Sequence, residues 1–193
     1  MAVVILGIIG VGALFIKHAI AAPASAAARN LAAINGLTVG TTTEAELLAR
    51  KEFQTVERKC FQSDCQYLMA TENAFLNRLH LAPVTRMFTA VTVRDGLIIR
   101  ISVVTLKAGL PGISVSQMLE MPPGCASSPC VRRQVLPNKV LMGISIAFSN
   151  DSGIRNHIPE AVNSECLSRL HGCNTYADLM PLTKELNLEA TGR

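Results

Sequence analysis

Val84 to Lys107 reads VTRMFTAVTVRDGLIIRISVVTLK, two runs rich in β-branched residues that meet at Asp95-Gly96. An Asp-Gly pair suits a two-residue type I′ hairpin turn, whose central positions both need positive φ. Side chains alternate across a strand, so Met87, Thr89, Val91 and Val93 share one face of the first run. Leu97, Ile99, Ile101 and Val103 are expected on the matching face of the second, with Arg94 and Arg100 on the other. The stretch therefore predicts an antiparallel ribbon with one face turned to a core.

The same alternation continues outward. Gln54 to Cys60 and Cys65 to Thr71 predict a smaller hairpin. Ile113, Val115, Gln117, Leu119 and Met121 alternate with more polar neighbours until Pro122-Pro123-Gly124 breaks the run. Cys130 to Leu136 and Lys139 to Ser149 read as further strands. Thr43 with Glu46, and Thr41 with Glu44, have capping-box spacing, which starts a short helix. Asn73 to Leu81 suits a helical turn ended by Pro83. Pro159 to Leu170 predicts a helix whose stripe Ile158, Val162, Cys166, Leu170 would lie on the sheet, and Tyr176 to Leu188 a weaker one. The predicted class is α+β: an antiparallel sheet of about six or seven strands with flanking helices, preceded by an N-terminal hydrophobic helix. Residues 1–22 are assigned to a transmembrane anchor or signal segment, 23–36 to a linker, 37–180 to a globular α+β domain and 181–193 to a flexible tail.

The chain has 193 residues, a net charge of +4, no Trp and 4% aromatic residues. That length supports a proper core, which must be aliphatic. Arg132-Arg133 is the one arginine doublet, and no basic run interleaves with aromatics. A nucleic-acid platform needs a clustered cationic face and stacking rings, so no nucleic-acid partner is expected.

Met1 to Ile16 is apolar or Gly/Ala throughout, followed by Lys17-His18 and AIAAPASAAA. A bilayer span takes about 20 residues; residues through Ala22 reach that length if Lys17 snorkels. Small-x-small patterns at Ala19-Ile20-Ala21 and Ala24-Ser25-Ala26 would alternatively serve signal cleavage. The first cation follows the apolar run, and the positive-inside rule taken literally would hold the bulk of the chain in the cytoplasm. Export therefore carries the expectation that basic residues precede Met1 in the natural reading frame.

Six cysteines fall into close pairs, Cys60 with Cys65, Cys125 with Cys130 and Cys166 with Cys173. The first two pairs would face each other across hairpin mouths, within disulfide reach. Cys173 reaches Cys166 only if a helix stops at Gly172 and the chain turns back. An even count behind an export-like segment favours disulfides and an extracytoplasmic location. Unpaired thiols, or a metal site using Cys125, Cys130, Cys166 and Cys173 with His157 or His171, remain alternatives.

No nucleophile elbow, P-loop, dinucleotide fingerprint or paired metal-site histidines occur. His80 between Leu79 and Leu81 reads as structural, His171 as a helix-end cation, and Asp64, Asp95 and Glu120 as turn or surface carboxylates. No cofactor is expected. The candidate binding loop is Pro122, Pro123, Gly124, Ala126, Ser127, Ser128 and Pro129, the last four enclosed by Cys125 and Cys130, where rigidity would lower the entropy lost on binding; the simpler alternative is a strand connection braced against proteolysis. Asn150-Asp151-Ser152 matches a glycosylation sequon, most simply by chance.

Gly40-Thr41 with Thr43-Glu44-Ala45-Glu46 resembles the glycine-threonine-helix opening of BamE/SmpA-type envelope modules, over about fifteen residues. The chain lacks their lipobox cysteine and carries cysteines that they do not call for. Cys166-Leu167, Leu170-His171-Gly172-Cys173 is similar to a feature of uncharacterised exported bacterial Cys-rich proteins. These likenesses imply an envelope location and supply no activity. The leading expectation is a non-catalytic envelope domain, membrane-anchored or secreted, that contacts the membrane through its N-terminal segment and binds a protein or cell-wall partner. The alternatives are a small extracytoplasmic enzyme with a dispersed site around His80 or His157, and a metal-stabilised cytoplasmic module.

Overall fold

The computed structural model describes residues 2–108, 112–135, 141–150, 158, 162–169 and 176–181. Helix α1 (Ala2–Ile34) opens the chain, followed by α2 (Glu44–Ala49), a 3₁₀ turn at Lys51–Phe53, and strands β1 (Arg58–Phe61) and β2 (Asp64–Glu72). Then come α3 (Ala74–Arg78), β3 (Thr85–Arg94), β4 (Leu97–Lys107), β5 (Gly112–Met118), β6 (Cys130–Val135) and β7 (Leu141–Ser149). A 3₁₀ helix at Ser164–Ser168 and a single turn, α4 (Tyr176–Leu179), complete the described elements. The class is α+β, as the alternation predicts.

The strands form one seven-stranded sheet in the order β1-β2-β3-β4-β5-β7-β6. Every pairing is antiparallel except β5 with β7, which is parallel. The parallel pair arises because the chain leaves β5, crosses the end of the position later filled by β7, and starts β6 at the sheet edge. The connection is the proline-rich loop, and the Ser128 hydroxyl oxygen in it accepts the Ser149 N–H at the end of β7 (3.1 Å). Periodicity reports which face a side chain takes and is silent about neighbours, so the sheet expected as antiparallel is mostly so and mixed at this one pair.

The central ribbon forms with a correction. Asp95 and Gly96 both have positive φ, +51° and +77°. The register slips between Thr92 and Val93: Thr92 pairs Arg100 while Val93 pairs Ile98, so Ile99 is an extra residue. A one-residue bulge flips every side chain beyond it. Ile101 and Val103 face the core as expected, whereas Ile98 is the core residue near the turn and Leu97 and Ile99 face out. Leu119, expected to continue the buried face of β5, is likewise exposed, because β5 ends at Met118.

One sheet face is covered. Tyr67, Met69, Met87, Val91, Ile101, Val103, Ile113, Val115, Ile144 and Ile146 pack there against Ala27, Leu31 and Ile34 of α1, Leu47, Phe53, and Ile158, Val162, Cys166 and Leu167. The C-terminal part of α1 is thus a wall of the domain, and residues 23–36, expected as a linker, hold its packed end. Apolar residues at 27, 31 and 34 recur at helical spacing, which aligns them on one stripe. Pro23 lies inside the helix and removes one backbone hydrogen bond there; Val11 to Ile16, upstream of it, are exposed. Gly36 at φ +74° ends the helix. The Arg50 guanidinium donates to the carbonyls of Ala33 (2.8 Å) and Asn35 (2.7 Å), a cation at the negative end of the macrodipole.

The Thr43 capping box is present with Glu46, and Gly40 N–H donates to Ile98 O (2.7 Å). The helix predicted from Pro159 to Leu170 is not continuous over its described residues, 162–169. Asn163 is extended and its side chain caps Glu165, Ser164–Ser168 is 3₁₀, and Arg169 is extended again. Ile158, Val162 and Cys166 are buried as the stripe requires. Leu170, His157, His171, Cys173 and the 182–193 part of the tail lie outside the described residues.

Candidate functional site

The β1–β2 turn, the β3–β4 turn, the C-terminal ends of β5 and β7 and the start of β6 all lie at one end of the sheet, as the registers require. Two disulfides brace that end. Cys60 and Cys65 face each other across the β1–β2 turn, with Cα atoms 4.0 Å apart. Cys125 and Cys130 are joined at a Cα separation of 5.7 Å. The second pair does not span a hairpin mouth as expected: Cys125 lies in the loop, its N–H donating to Pro122 O (3.1 Å), and Cys130 begins β6. These bonds remove Cys125 and Cys130 from the metal-ligand set. Cys166 is disulfide-bonded and buried in the core.

Between the braced loops lies a cavity of about 600 Å³. Its floor is the sheet face opposite the core. Alternation puts Asp64, Thr92, Arg94 and Arg100 on that face, and register sets them side by side: Asp64 opposite Arg94, and Thr92 opposite Arg100. Its apolar walls are Leu97, Ile99, Met118, Leu119, Pro122 and Pro123. Pro122 and Pro123 of the candidate loop therefore reach the site. Gly124, Ala126, Ser127, Ser128 and Pro129 do not line it; they carry the chain over β7 to the edge, and Gly124 makes the turn at φ +84°.

Arg94 grips Asp64 with two hydrogen bonds, Nε to Oδ1 at 2.7 Å and Nη2 to Oδ2 at 3.1 Å. This bidentate pair holds the Asp64 carboxyl below its ordinary pKa, with the Arg94 hydrogen bond as the main cause, and raises that of Arg94. Glu120 stands at the rim, its side chain 83% exposed and 4.0 Å from Arg94. Arg100 Nε and Thr92 Oγ1 are buried with no hydrogen-bond partner among the described residues. Arg94 and Arg100 lie on the face opposite the core, as alternation predicts, whereas Asp64 and Glu120, expected as surface carboxylates without partners, stand beside Arg94. What alternation missed was the pairing, which needs the β2–β3 register; the available signal was that Asp64 and Arg94 each abut a turn at the same strand end.

No histidine lines the cavity among the described residues; His80 is exposed at the opposite end, after α3, with φ +55°. No cluster of three or more His, Cys, Asp or Glu side chains suited to a metal occurs among the described residues. In the sequon, Asn150 Nδ2, the atom a glycan would occupy, donates to Val39 O (2.7 Å).

Fold and site define a mixed seven-stranded α+β domain with an N-terminal apolar helix and a braced, cavity-bearing end. No family model, curated protein or solved structure matches the chain.

Proposed function

We propose that this chain is a non-catalytic envelope domain, membrane-anchored or secreted with its bulk outside the cytoplasm, that binds a protein or cell-wall partner with the braced end of its sheet. The observation that carries the reading is the placement of α1. From Ile34 the chain reaches Ile98, beside the β3–β4 turn, within a few residues. Asn30 Nδ2 donates to Thr71 Oγ1 (3.1 Å), near the opposite end of β2. The helix therefore runs toward the braced end, and its exposed apolar half projects past the other. At 1.5 Å per residue, Val11 lies roughly 28 Å beyond Asn30. Val11–Ile34 is apolar and long enough to cross a membrane, and only its C-terminal part is packed on the domain. A bilayer holding the exposed half would leave the cavity facing away from it, and disulfides persist in an oxidising compartment.

The test uses protein from the native host. Non-reducing mass spectrometry with thiol alkylation should find no reactive cysteine, and N-terminal analysis should show residues 27–34 retained. Six alkylatable thiols would overturn the location. For binding, a photo-crosslinker at Pro123 or Leu97 should capture one discrete partner in intact cells, while one at exposed Leu79, at the opposite end, should not. The same partner captured from both ends would overturn the assignment of the braced end.

A further inference from the structure

We infer that the cavity at the braced end captures the C-terminal carboxylate of a peptide ending in a large apolar residue, with Arg100 as its anchor. The inference deepens the binding reading above, on which it rests, by naming the partner's chemistry. Of the two cavity arginines, Arg94 is committed to Asp64 through both arms of its guanidinium. Arg100 makes no hydrogen bond or ion pair to a carboxylate among the described residues, although it lies near enough to Asp64 for its charge to help hold that carboxyl's pKa down. Its Nε–H is buried without an acceptor, and next to it across the β3–β4 register the Thr92 hydroxyl, on a residue 3% exposed, is also unpartnered.

Buried donors left unmade are rare in folded proteins, and each calls for an explanation, of which a bound group is one; Thr89 Oγ1 on the core face is another such atom, but only Arg100 and Thr92 line the cavity. A carboxylate is the complementary group, since it accepts from a guanidinium and a hydroxyl together. The acidic neighbours do not fill that role: Asp64 is held by Arg94, Glu120 sits at the rim, and Asp95 is exposed in the turn. Around the polar pair, Ile99, Met118, Leu119, Pro122 and Pro123 supply apolar surface for a side chain beside the carboxylate. A cavity of about 600 Å³ falls in the range of small-ligand sites. Capture of a chain terminus by its carboxylate is a recurring recognition mode, and the stiff loop lowers its entropic cost.

The full chain in nanodiscs is titrated with acetyl-Ala-Ala-Leu bearing a free carboxylate, with the same peptide as its C-terminal amide, and with hexanoate. Binding is read by calorimetry and by the shift of the Arg100 Nε–H resonance. The free acid should bind at least tenfold more tightly than the amide and than hexanoate. Arg100→Gln should weaken it at least tenfold with the unfolding midpoint unchanged, Arg100→Lys should restore part, and Thr92→Val should weaken it severalfold. Equal binding of acid and amide, or no binding of either, overturns the inference and leaves the crosslinking result standing by itself. Hexanoate binding as tightly as the peptide overturns the assignment to a peptide terminus. Should Arg100→Gln unfold, Thr92→Val and the wild-type acid–amide ratio decide.

Discussion

If the end of α1 is a wall of the domain, shortening Ile34 must destabilise the sheet, whereas shortening Leu14 must not. Ile34 is fully buried and Leu14 is 69% exposed on the same helix. Ile34→Ala removes three buried carbons, at about 0.8 kcal/mol each for transfer, and leaves a cavity, so the expected loss is about 3 kcal/mol. Leu14→Ala should change domain stability by less than about 0.5 kcal/mol. The assay is urea unfolding of the full chain in mild detergent, followed by tyrosine emission, which no Trp masks. With a urea slope of about 2 kcal/mol/M, Ile34→Ala should lower the midpoint by roughly 1.5 M. Coincident midpoints for Ile34→Ala and wild type would refute the packing of α1 on the domain, and would return residues 23–36 to a linker.

Three further outcomes follow from particular contacts. Burial pushes the Tyr67 phenol up to about 12, helped by the hydrogen bond its hydroxyl donates to Glu44. A folded-state pKa above the unfolded one stabilises fully below pH 10 and is lost as pH rises toward 12, so wild-type stability should fall across that window more steeply than that of Tyr67→Phe; parallel profiles would refute it. The bulge predicts that Ile98→Ala costs about 2–4 kcal/mol and Ile99→Ala less than about 1, measured by urea unfolding, where the unshifted register gives the reverse order. Gly40 sits at φ +81°, and a Cβ there would lie 2.8 Å from Leu119 Cδ1. Gly40→Ala should therefore cost about 1–2 kcal/mol and move Leu119 at the cavity wall, seen as a changed methyl resonance; an unshifted midpoint would count against the backbone conformation.

Gly40 also shows what a motif can carry. The Thr43–Glu46 capping box that follows it was legible because it is local, and it forms, whereas the equally spaced Thr41–Glu44 pair does not: Thr43 is the N-cap and the Thr41 hydroxyl donates to Thr38 O. The hairpins at Asp95-Gly96 and between Cys60 and Cys65 were legible for the same reason. The failures share a different cause. Ile98 and Ile99 are both apolar, so alternation could not register that one residue had been inserted; the choice depends on which of them has Val93 across the ladder. Placing β6 outside β7 depends on where an eleven-residue loop lands (Leu119 to Pro129), and its prolines announce rigidity without direction.

Local sequence is enough for the strands, the turns between adjacent ones, the helix cap and the apolar character of the first helix, and it favours the near-neighbour cysteine pairs without excluding other pairings. Each of these is decided by residues within a few positions of one another, where dihedral preference, side-chain alternation and short loop closure dominate. Packing of distant segments is what sets the end of α1 under the sheet, runs β5 parallel to β7, and gathers Asp64, Arg94, Thr92, Arg100 and Pro123 around one cavity. Those facts depend on the register between strands far apart in the chain, and a one-residue change in register exchanges the two faces of a strand without altering any local preference.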